Sequence, residues 1–209
     1  MASVSEKVIS EALVSEIPLF PLNTVLFPGG VLPLRVFEAR YVDMTRNCMK
    51  HELPFGVALI REGSEVGVAA IPETVGCFAR IADWDMQQLG VLNITAIGQG
   101  RYHMLASRVE ADGLITAEVE AIPAEARRPV PKQNTVCITL LRAILAQIDA
   151  KHVPPPHHFN DAAWVGYRLS ELLPIQRAAK QKLLELEDTL SRLEIITRYL
   201  EQNGLAIKS

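Results

Sequence analysis

Short apolar stretches separated by proline and glycine constrain the fold of this chain more than any other feature of its sequence. Over residues 17–37, Pro18, Pro21, Pro28 and Pro33 fall within or beside such stretches. Proline lacks the backbone N–H that helix interiors and central strands require. This segment is therefore predicted to form strands near a sheet edge, with a tight turn at the Gly29-Gly30 pair.

Further strands are predicted at intervals of roughly ten residues. Glycine-containing turns separate them, and they cover residues 55–61, 67–71, 77–83, 91–97, 102–109 and 114–121. The sequence Gly98-Gln99-Gly100 is interpreted as one of these turns, at the tip of a hairpin. Regularly spaced short strands of this kind are typical of a sandwich or a small barrel.

Helical spacing of apolar residues appears once among the strands and dominates the last third of the chain. The single inserted helix carries Phe37, Tyr41, Met44 and Cys48, and Pro54 ends it. The later stripes cover residues 136–148, 165–173 and 183–200. They predict three helices that form a bundle against the strand-rich part. An intermolecular coiled coil over residues 183–200 is the alternative.

Local residues predict where these helices begin and end, and where the chain divides. Asn160 or Asp161 is predicted to cap the second of the three helices, and Gly204 to end the third. Residues 122–133 are rich in proline and charge, which is typical of a boundary between subdomains. We expect a leader over 1–15, a strand-rich subdomain over 16–125 and a helical subdomain over 126–209.

Charge and composition exclude several classes of protein. The net charge is -3, and residues 1–125 hold 16 acidic and 9 basic side chains, whereas a nucleic-acid binder needs a basic surface. No apolar run approaches the roughly 20 residues of a membrane helix, and the N-terminus lacks a secretory pattern. Cys48, Cys77 and Cys137 are odd in number and far apart, which favours reduced thiols and a cytoplasmic location.

Four stretches resemble the substrate-binding N-terminal domain of Lon proteases, which also occurs free-standing and in cereblon. The first is the opening IPLFPLNTVLFPGGVLPLRVFEARY, and the second is FGVALI with a glycine-marked strand after it. The third combines VGCFARI with LNITAIGQGRY, and the fourth is LSELLPIQRAAKQKLLELEDTLSRLEIITRYL. Together they extend over about residues 16–203, in the order found in that family.

The resemblance implies an α+β fold in which a small PUA-like β-barrel subdomain precedes a C-terminal helical bundle. It also implies a role in binding unfolded, apolar or tagged polypeptide segments. Lon proteases continue into ATPase and peptidase modules, but this sequence has no GxxxxGK[ST] phosphate loop and stops at Ser209. We therefore expect no enzymatic activity and no cofactor.

Two other functions remain open at this stage. The chain could dock as an adaptor on a separate protease or ATPase subunit, through its helical part. It could also bind RNA or a small ligand, as other PUA-like barrels do, although the acidic charge argues against RNA.

The predicted contacts for polypeptide lie in four parts of the chain. Apolar side chains at a loop tip can fold back or remain exposed as a binding surface, and Trp84, Met86 and Leu89 are predicted to lie in such a connection. Phe27, Arg101 and Tyr102, within the resembling stretches, are added as candidate contacts. The Pro18–Pro33 edge and the segment around Arg127 and Arg128 are further candidates.

Other chemistry-bearing residues are predicted to have structural roles. His157 and His158 lack the ligand set of a metal site, since only His152 and Asp161 are near in sequence. Asp83, Asp85 and Glu110 come with no base and nucleophile that would make them catalytic. Cys77 is expected to be a buried, inert thiol, and Arg108 to form ion pairs.

Overall fold

The structure of the chain, a computed structural model, describes residues 14–88 and 90–205. The chain divides into two compact units, Met1–Ala124 (unit 1) and Glu125–Ser209 (unit 2). The α+β class predicted from the sequence is confirmed, because the described strands all lie in unit 1 and unit 2 is helical. Most of the predicted leader lies outside the described residues, and Ser15 already belongs to the first strand.

Over its described residues, unit 1 consists of strands with one helix inserted between the second and the third. The elements are β1 (Ser15–Leu22), β2 (Val31–Val36), α1 (Ala39–His51), β3 (Phe55–Glu62), β4 (Ile71–Pro72), β5 (Val75–Gln88), β6 (Val91–Val109) and β7 (Ile115–Ile122). The helix agrees with the predicted apolar spacing, since Tyr41, Met44 and Cys48 are buried along one side of it.

Five of the strands pair in a closed circuit. β1 is antiparallel to β7, β7 to β6, β6 to β5 and β5 to β3, and β3 returns to β1 as a parallel partner. β4 pairs with the end of β3, and β2 pairs with the first part of β6. One strand, β6, therefore takes part both in the circuit and in a separate pairing with β2.

Two apolar clusters fill unit 1. One joins the sheet to α1, where the rings of Phe20 and Tyr41 stack at 4.1 Å. The other surrounds Tyr102, whose ring lies 5.0 Å from that of Phe78. Gly76 leaves room for Tyr102, because a Cβ there would lie 2.3 Å from the Tyr102 hydroxyl.

Gly98 is part of a strand, and the predicted hairpin turn at Gly98-Gln99-Gly100 is wrong. β6 runs without interruption from Val91 to Val109, so two predicted strands are one. Gly98 instead allows the turn after Phe27 to approach the strand, through hydrogen bonds from Gly29 N to Gly98 O and from Gly98 N to Gly30 O. A Cβ on Gly98 would lie 2.3 Å from the Phe27 carbonyl oxygen.

The strand predicted over residues 67–71 is reduced to the two residues of β4. Gly63 and Gly67 have φ angles of 101° and 93°, which extended strands do not use. The chain therefore turns twice where the sequence predicted one turn and a strand.

Residues 125–205 of unit 2 contain four α-helices where three were predicted. They are α2 (Thr135–Leu145), α3 (Ala162–Leu172), α4 (Arg177–Glu185) and α5 (Thr189–Gln202), after a 3-10 turn at Lys132–Asn134. The predicted cap at Asp161 is confirmed, because its side chain accepts a hydrogen bond from Ala163 N at 3.0 Å. Gly204, with a φ angle of 65°, follows the last helix as predicted.

The third predicted helix breaks between α4 and α5. Leu186 and Asp188 have extended backbones, and the Asp188 carboxylate caps α5 by accepting from Ser191 N at 2.7 Å. Leu183, Leu193 and Leu200 are buried within unit 2. This burial and the break contradict the intermolecular coiled coil, which needs one continuous exposed seam.

A buried ion pair holds the interior of unit 2. The Arg192 guanidinium donates to both carboxylate oxygens of Glu125, at 2.7 and 2.8 Å, and its Nε donates to Leu183 O at 2.9 Å. It also donates to the Leu186 carbonyl, and Tyr167 and Thr189 donate their hydroxyls to Glu125. Arg192 thereby satisfies carbonyl groups at the α4–α5 break.

Candidate functional site

The outer part of the β5–β6 hairpin forms a three-stranded arm with β2. The arm comprises β2, residues 80–88 of β5 and residues 91–97 of β6, with β6 in the middle. Within the described residues, the 80–88 segment pairs with β6 alone. Its other side is therefore an open edge, the β5 edge, along which backbone N–H and C=O groups face no strand.

Trp84 and Met86 lie on this edge strand and not in the predicted connection. Opposite residues of an antiparallel pair share a face, so Trp84, Ile94 and Leu34 form a row across the arm. Ile94 is buried in the core, whereas Trp84 is 56% exposed and Met86 is 38% exposed. The row thus begins in the core and ends in solvent at the β5 edge. Leu89 lies outside the described residues.

The opposite face of the arm is polar. Asp83 lies across from Thr95 and Asp85 from Asn93, over a shallow depression of 320 Å³. Both aspartates are exposed, and in the described part of the chain neither has an ion-pair partner. Arg35, on β2, donates from Nη2 to Gln88 Oε1 at 3.3 Å. The β5 edge therefore has an apolar face and an acidic face.

Phe27, Arg101 and Tyr102 do not belong to this surface. Phe27 and Tyr102 are fully buried and Arg101 is 3% exposed, so a polypeptide on the outside cannot contact their side chains. The Tyr102 hydroxyl donates to Val57 O at 3.3 Å, and burial raises the pKa of Tyr102 well above its usual value. These three residues support the fold, and as candidate contacts they are withdrawn.

A second surface, in unit 2, was missed from the sequence. An apolar groove of 490 Å³ lies between the end of α3, α4 and α5. Its lining includes Leu173, Ile175, Leu183, Leu186, Ile195 and Tyr199. A signal was present in the sequence, because Ile195 and Ile196 are adjacent in a predicted helix. Side chains of adjacent helix residues point in different directions, so we expect only one of the two to face the interior of unit 2. Ile196 is buried and Ile195 is 46% exposed.

The remaining polar candidates have structural roles. Arg108 forms the predicted ion pair, with contacts to Glu16 at 2.5 and 2.8 Å, and this hydrogen bonding lowers the pKa of Glu16. Cys77 is fully buried, as predicted. His157 lies 3.0 Å from Val153 O, with its ring 5.8 Å from that of Trp164.

Residues 14–88 and 90–205 contain neither a metal-binding cluster nor a membrane-spanning helix. No group of three or more histidines, cysteines and carboxylates is placed to hold a metal ion there. No helix in this part of the chain is long and apolar enough to cross a membrane.

Known sequences that are similar to this chain include Lon proteases and the protein cereblon. It is 24% identical over 216 residues to the Lon protease of Anaeromyxobacter dehalogenans, an alignment that covers 95% of this chain. It is 32% identical over 117 residues to the protein cereblon of Danio rerio, which covers 54% of this chain. The chain spans about a quarter of the length of each, namely 24% and 27%.

Solved structures give the same result for the fold. A Lon N-terminal domain protein from Xanthomonas campestris matches with a TM-score of 0.75 and 34% identity, over 88% of this chain and 98% of that one. The N-terminal domain of a Mycobacterium avium complex Lon protease matches with a TM-score of 0.64 at 19% identity, covering 90% of this chain and 98% of that one. The second likeness concerns the fold alone.

A family model also matches most of the chain. The model of the ATP-dependent protease La (LON) substrate-binding domain matches residues 16–202, which include every described helix and all but the first residue of β1. The resemblance proposed from four sequence stretches is thus confirmed. The chain belongs to the Lon substrate-binding domain family.

Proposed function

We propose that this chain is a non-enzymatic recognition module that binds unfolded or apolar polypeptide segments. The β5 edge is the observation that carries the proposal. An extended segment can add to an open strand edge through main-chain hydrogen bonds, while neighbouring side chains select among sequences. Trp84 and Met86 supply exposed apolar surface beside that edge.

The proposal also includes the fold of each unit. The closed circuit of β1, β7, β6, β5 and β3 supports a PUA-like β-barrel for unit 1, because closure leaves few strand edges unpaired. The interior contacts among the helices of unit 2 support a helical bundle. In such an arrangement the arm is the part of the sheet that stays open for a client.

The absence of enzymatic activity in the module is also part of the proposal. The sequence has no lysine directly after a glycine, so it lacks a phosphate-binding loop with its lysine. The three cysteines are buried, and burial raises the pKa of Cys48 to about 11, which disfavours a nucleophilic thiolate. Buried, unbridged cysteines also favour a cytoplasmic location. Measurable ATP or peptide hydrolysis by the purified chain would contradict this part.

Binding of a labelled, permanently unfolded protein tests the proposed function. We expect Trp84→Ala to raise the Kd about 10- to 30-fold, because an aromatic side chain next to a main-chain contact is a typical binding hot spot. Leu105→Ala is the matched control, since Leu105 is 53% exposed on β6 but lies outside the arm. Equal affinities of the two variants would contradict the β5 edge as the binding surface.

The apolar groove of unit 2 favours a second candidate function, which is docking on a separate protease or ATPase subunit. Ile195 lies in this groove and is available to a partner. The test uses a purified Lon ATPase–peptidase chain that lacks its own N-terminal domain, with binding measured by calorimetry. A complex that Ile195→Glu abolishes would support docking, and the absence of a complex would contradict it.

A further inference from the structure

We infer that the segments that bind the β5 edge alternate apolar and basic residues. The inference rests on the proposed function and deepens it, by naming the chemistry of the client. It follows from the two different faces that the edge presents, with the exposed Trp84 on one and Asp83 and Asp85 on the other.

Strand geometry transfers this pattern to the client. Successive side chains of a strand point to opposite faces of the sheet, and opposite residues of paired strands share a face. A segment added along Asp83–Asp85 therefore places side chains on the face of Trp84 at every second position. The side chains between them lie beside Asp83 and Asp85. Apolar residues suit the first positions, and lysine or arginine suits the second.

The charges around the two aspartates leave them available to a client. The cationic groups on this face are Arg80, on β5 itself, and Arg35, on β2. Arg35 extends its guanidinium across β6 to Gln88 on β5, to which it donates a hydrogen bond at 3.3 Å, and within the described residues it forms no ion pair with Asp83 or Asp85. Arg80 points its Nη1 towards Ile81 O at 3.5 Å. Asn93, Thr95 and Pro33, opposite the aspartates, are uncharged.

A second copy of this chain is a poorer occupant of the edge. Antiparallel pairing of two β5 edges would bring Asp83 and Asp85 of one copy close to the same residues of the other. Like charges on opposite strands oppose such pairing, and charged residues commonly protect exposed edges in this way. The same carboxylates attract a basic client.

Three blocked peptides with the same apolar residues test the inference. They alternate these residues with lysine, serine or glutamate, and fluorescence anisotropy measures their binding to the full chain at low and high salt. We expect the lysine peptide to bind most tightly and the glutamate peptide least tightly. Each exposed ion pair contributes about 2- to 5-fold, so the difference shrinks at high salt.

Paired charge removals show whether the two aspartates cause the preference. The double variant Asp83→Asn with Asp85→Asn is expected to bind the lysine and serine peptides equally. The matched control is Glu118→Gln with Glu120→Gln, two exposed carboxylates at the same spacing on β7, and it is expected to keep the preference. If the double variant still prefers the lysine peptide to the serine peptide, the preference is a general effect of net charge. That result would overturn the inference.

The remaining outcomes distinguish a failure of this inference from a failure of the proposed function. Equal binding of all three peptides, weakened by Trp84→Ala, would overturn the charge preference and keep the proposed function. Failure of all three to bind would overturn both. Sedimentation velocity that shows dimers lost on Trp84→Ala, without peptide binding, would identify a second copy as the occupant and also overturn the inference.

Discussion

At the scale of single residues, the Glu125 carboxylate is held by several hydrogen bonds in the interior of unit 2. Its side chain is 6% exposed and accepts hydrogen bonds from Arg192, Tyr167 and Thr189. The Arg192 side chain is fully buried and its guanidinium lies 4.3 Å above the ring of Tyr167. A charged pair buried this deeply tolerates the loss of one partner poorly, because the other charge remains without compensation.

Glu125→Gln is expected to lower the free energy of unfolding of unit 2 by about 3 kcal/mol. Urea unfolding followed by Trp164 fluorescence, with Trp84 replaced by phenylalanine, measures this value. Glu194→Gln is the control, since the exposed pair of Glu194 with Arg198, also in unit 2, contributes less than about 0.5 kcal/mol. Similar losses in the two variants would contradict a special role for the buried pair.

The same carboxylate predicts how stability depends on pH. Burial raises the pKa of Glu125, but the hydrogen bonds and charge of Arg192 outweigh it, so the net pKa lies below 4.5. The stabilisation is therefore complete above pH 4.5 and is lost as the pH falls through the folded value. The stability difference between the wild type and Glu125→Gln, measured by urea unfolding between about pH 7 and about pH 3.5, should narrow on acidification. A constant difference would contradict this assignment.

At the scale of elements, the turn after Phe27 packs closely against β6 because Gly98 has no side chain. Gly98→Ala would place a Cβ against backbone, where no side-chain rotation can relieve the contact. We expect a loss of about 2 kcal/mol in unfolding free energy, measured by urea unfolding with circular dichroism. Ser107→Ala, exposed on the same strand, should change it by less than about 0.5 kcal/mol. A tolerated Gly98→Ala would mean that the turn shifts freely.

The errors of sequence prediction at this scale have a common cause. Glycine marks turns, but it also marks close approach of two backbones, and the sequence around Gly98 does not distinguish these. Likewise, the stripe over residues 183–200 continues across the α4–α5 break because both helices bury leucines in the same interior. The break depends on Arg192 and Glu125, which are far apart in sequence.

The candidate site was predictable only in part, for a similar reason. Alternation places Trp84 on the opposite face of a strand from Asp83 and Asp85, but its burial depends on which strand pairs beyond it. That pairing is a long-range property, as in the parallel match of Leu19 with Gly56. Phe27, Arg101 and Tyr102 were misassigned because membership in a recurring sequence stretch does not indicate exposure.

At the scale of the whole molecule, the order of strands before helices was correctly predicted, since each type has its own apolar period. The division after Ala124 precedes an irregular segment in which the Arg127 side chain is 86% exposed. We expect trypsin to cut first after Arg127, because Pro129 protects the bond after Arg128. Mass spectrometry identifies the fragments, and Arg127→Gln should slow the cleavage. Initial cuts elsewhere would contradict an accessible boundary.

The continuity of β6 has a consequence for how a client is held. Because one strand of 19 residues serves both the circuit and the arm, the arm cannot swing without breaking hydrogen bonds of the core. If polypeptide binds at the β5 edge as proposed, the hydrogen bonds of β6 would hold that edge in place before contact, and most of the ordering entropy of binding would fall on the incoming chain. Segments that already favour an extended backbone lose the least conformational entropy on binding. A proline at a position that pairs with β5 lacks the backbone N–H that would donate a hydrogen bond. Such a module would sort proteins by the conformational state of a segment as much as by its composition.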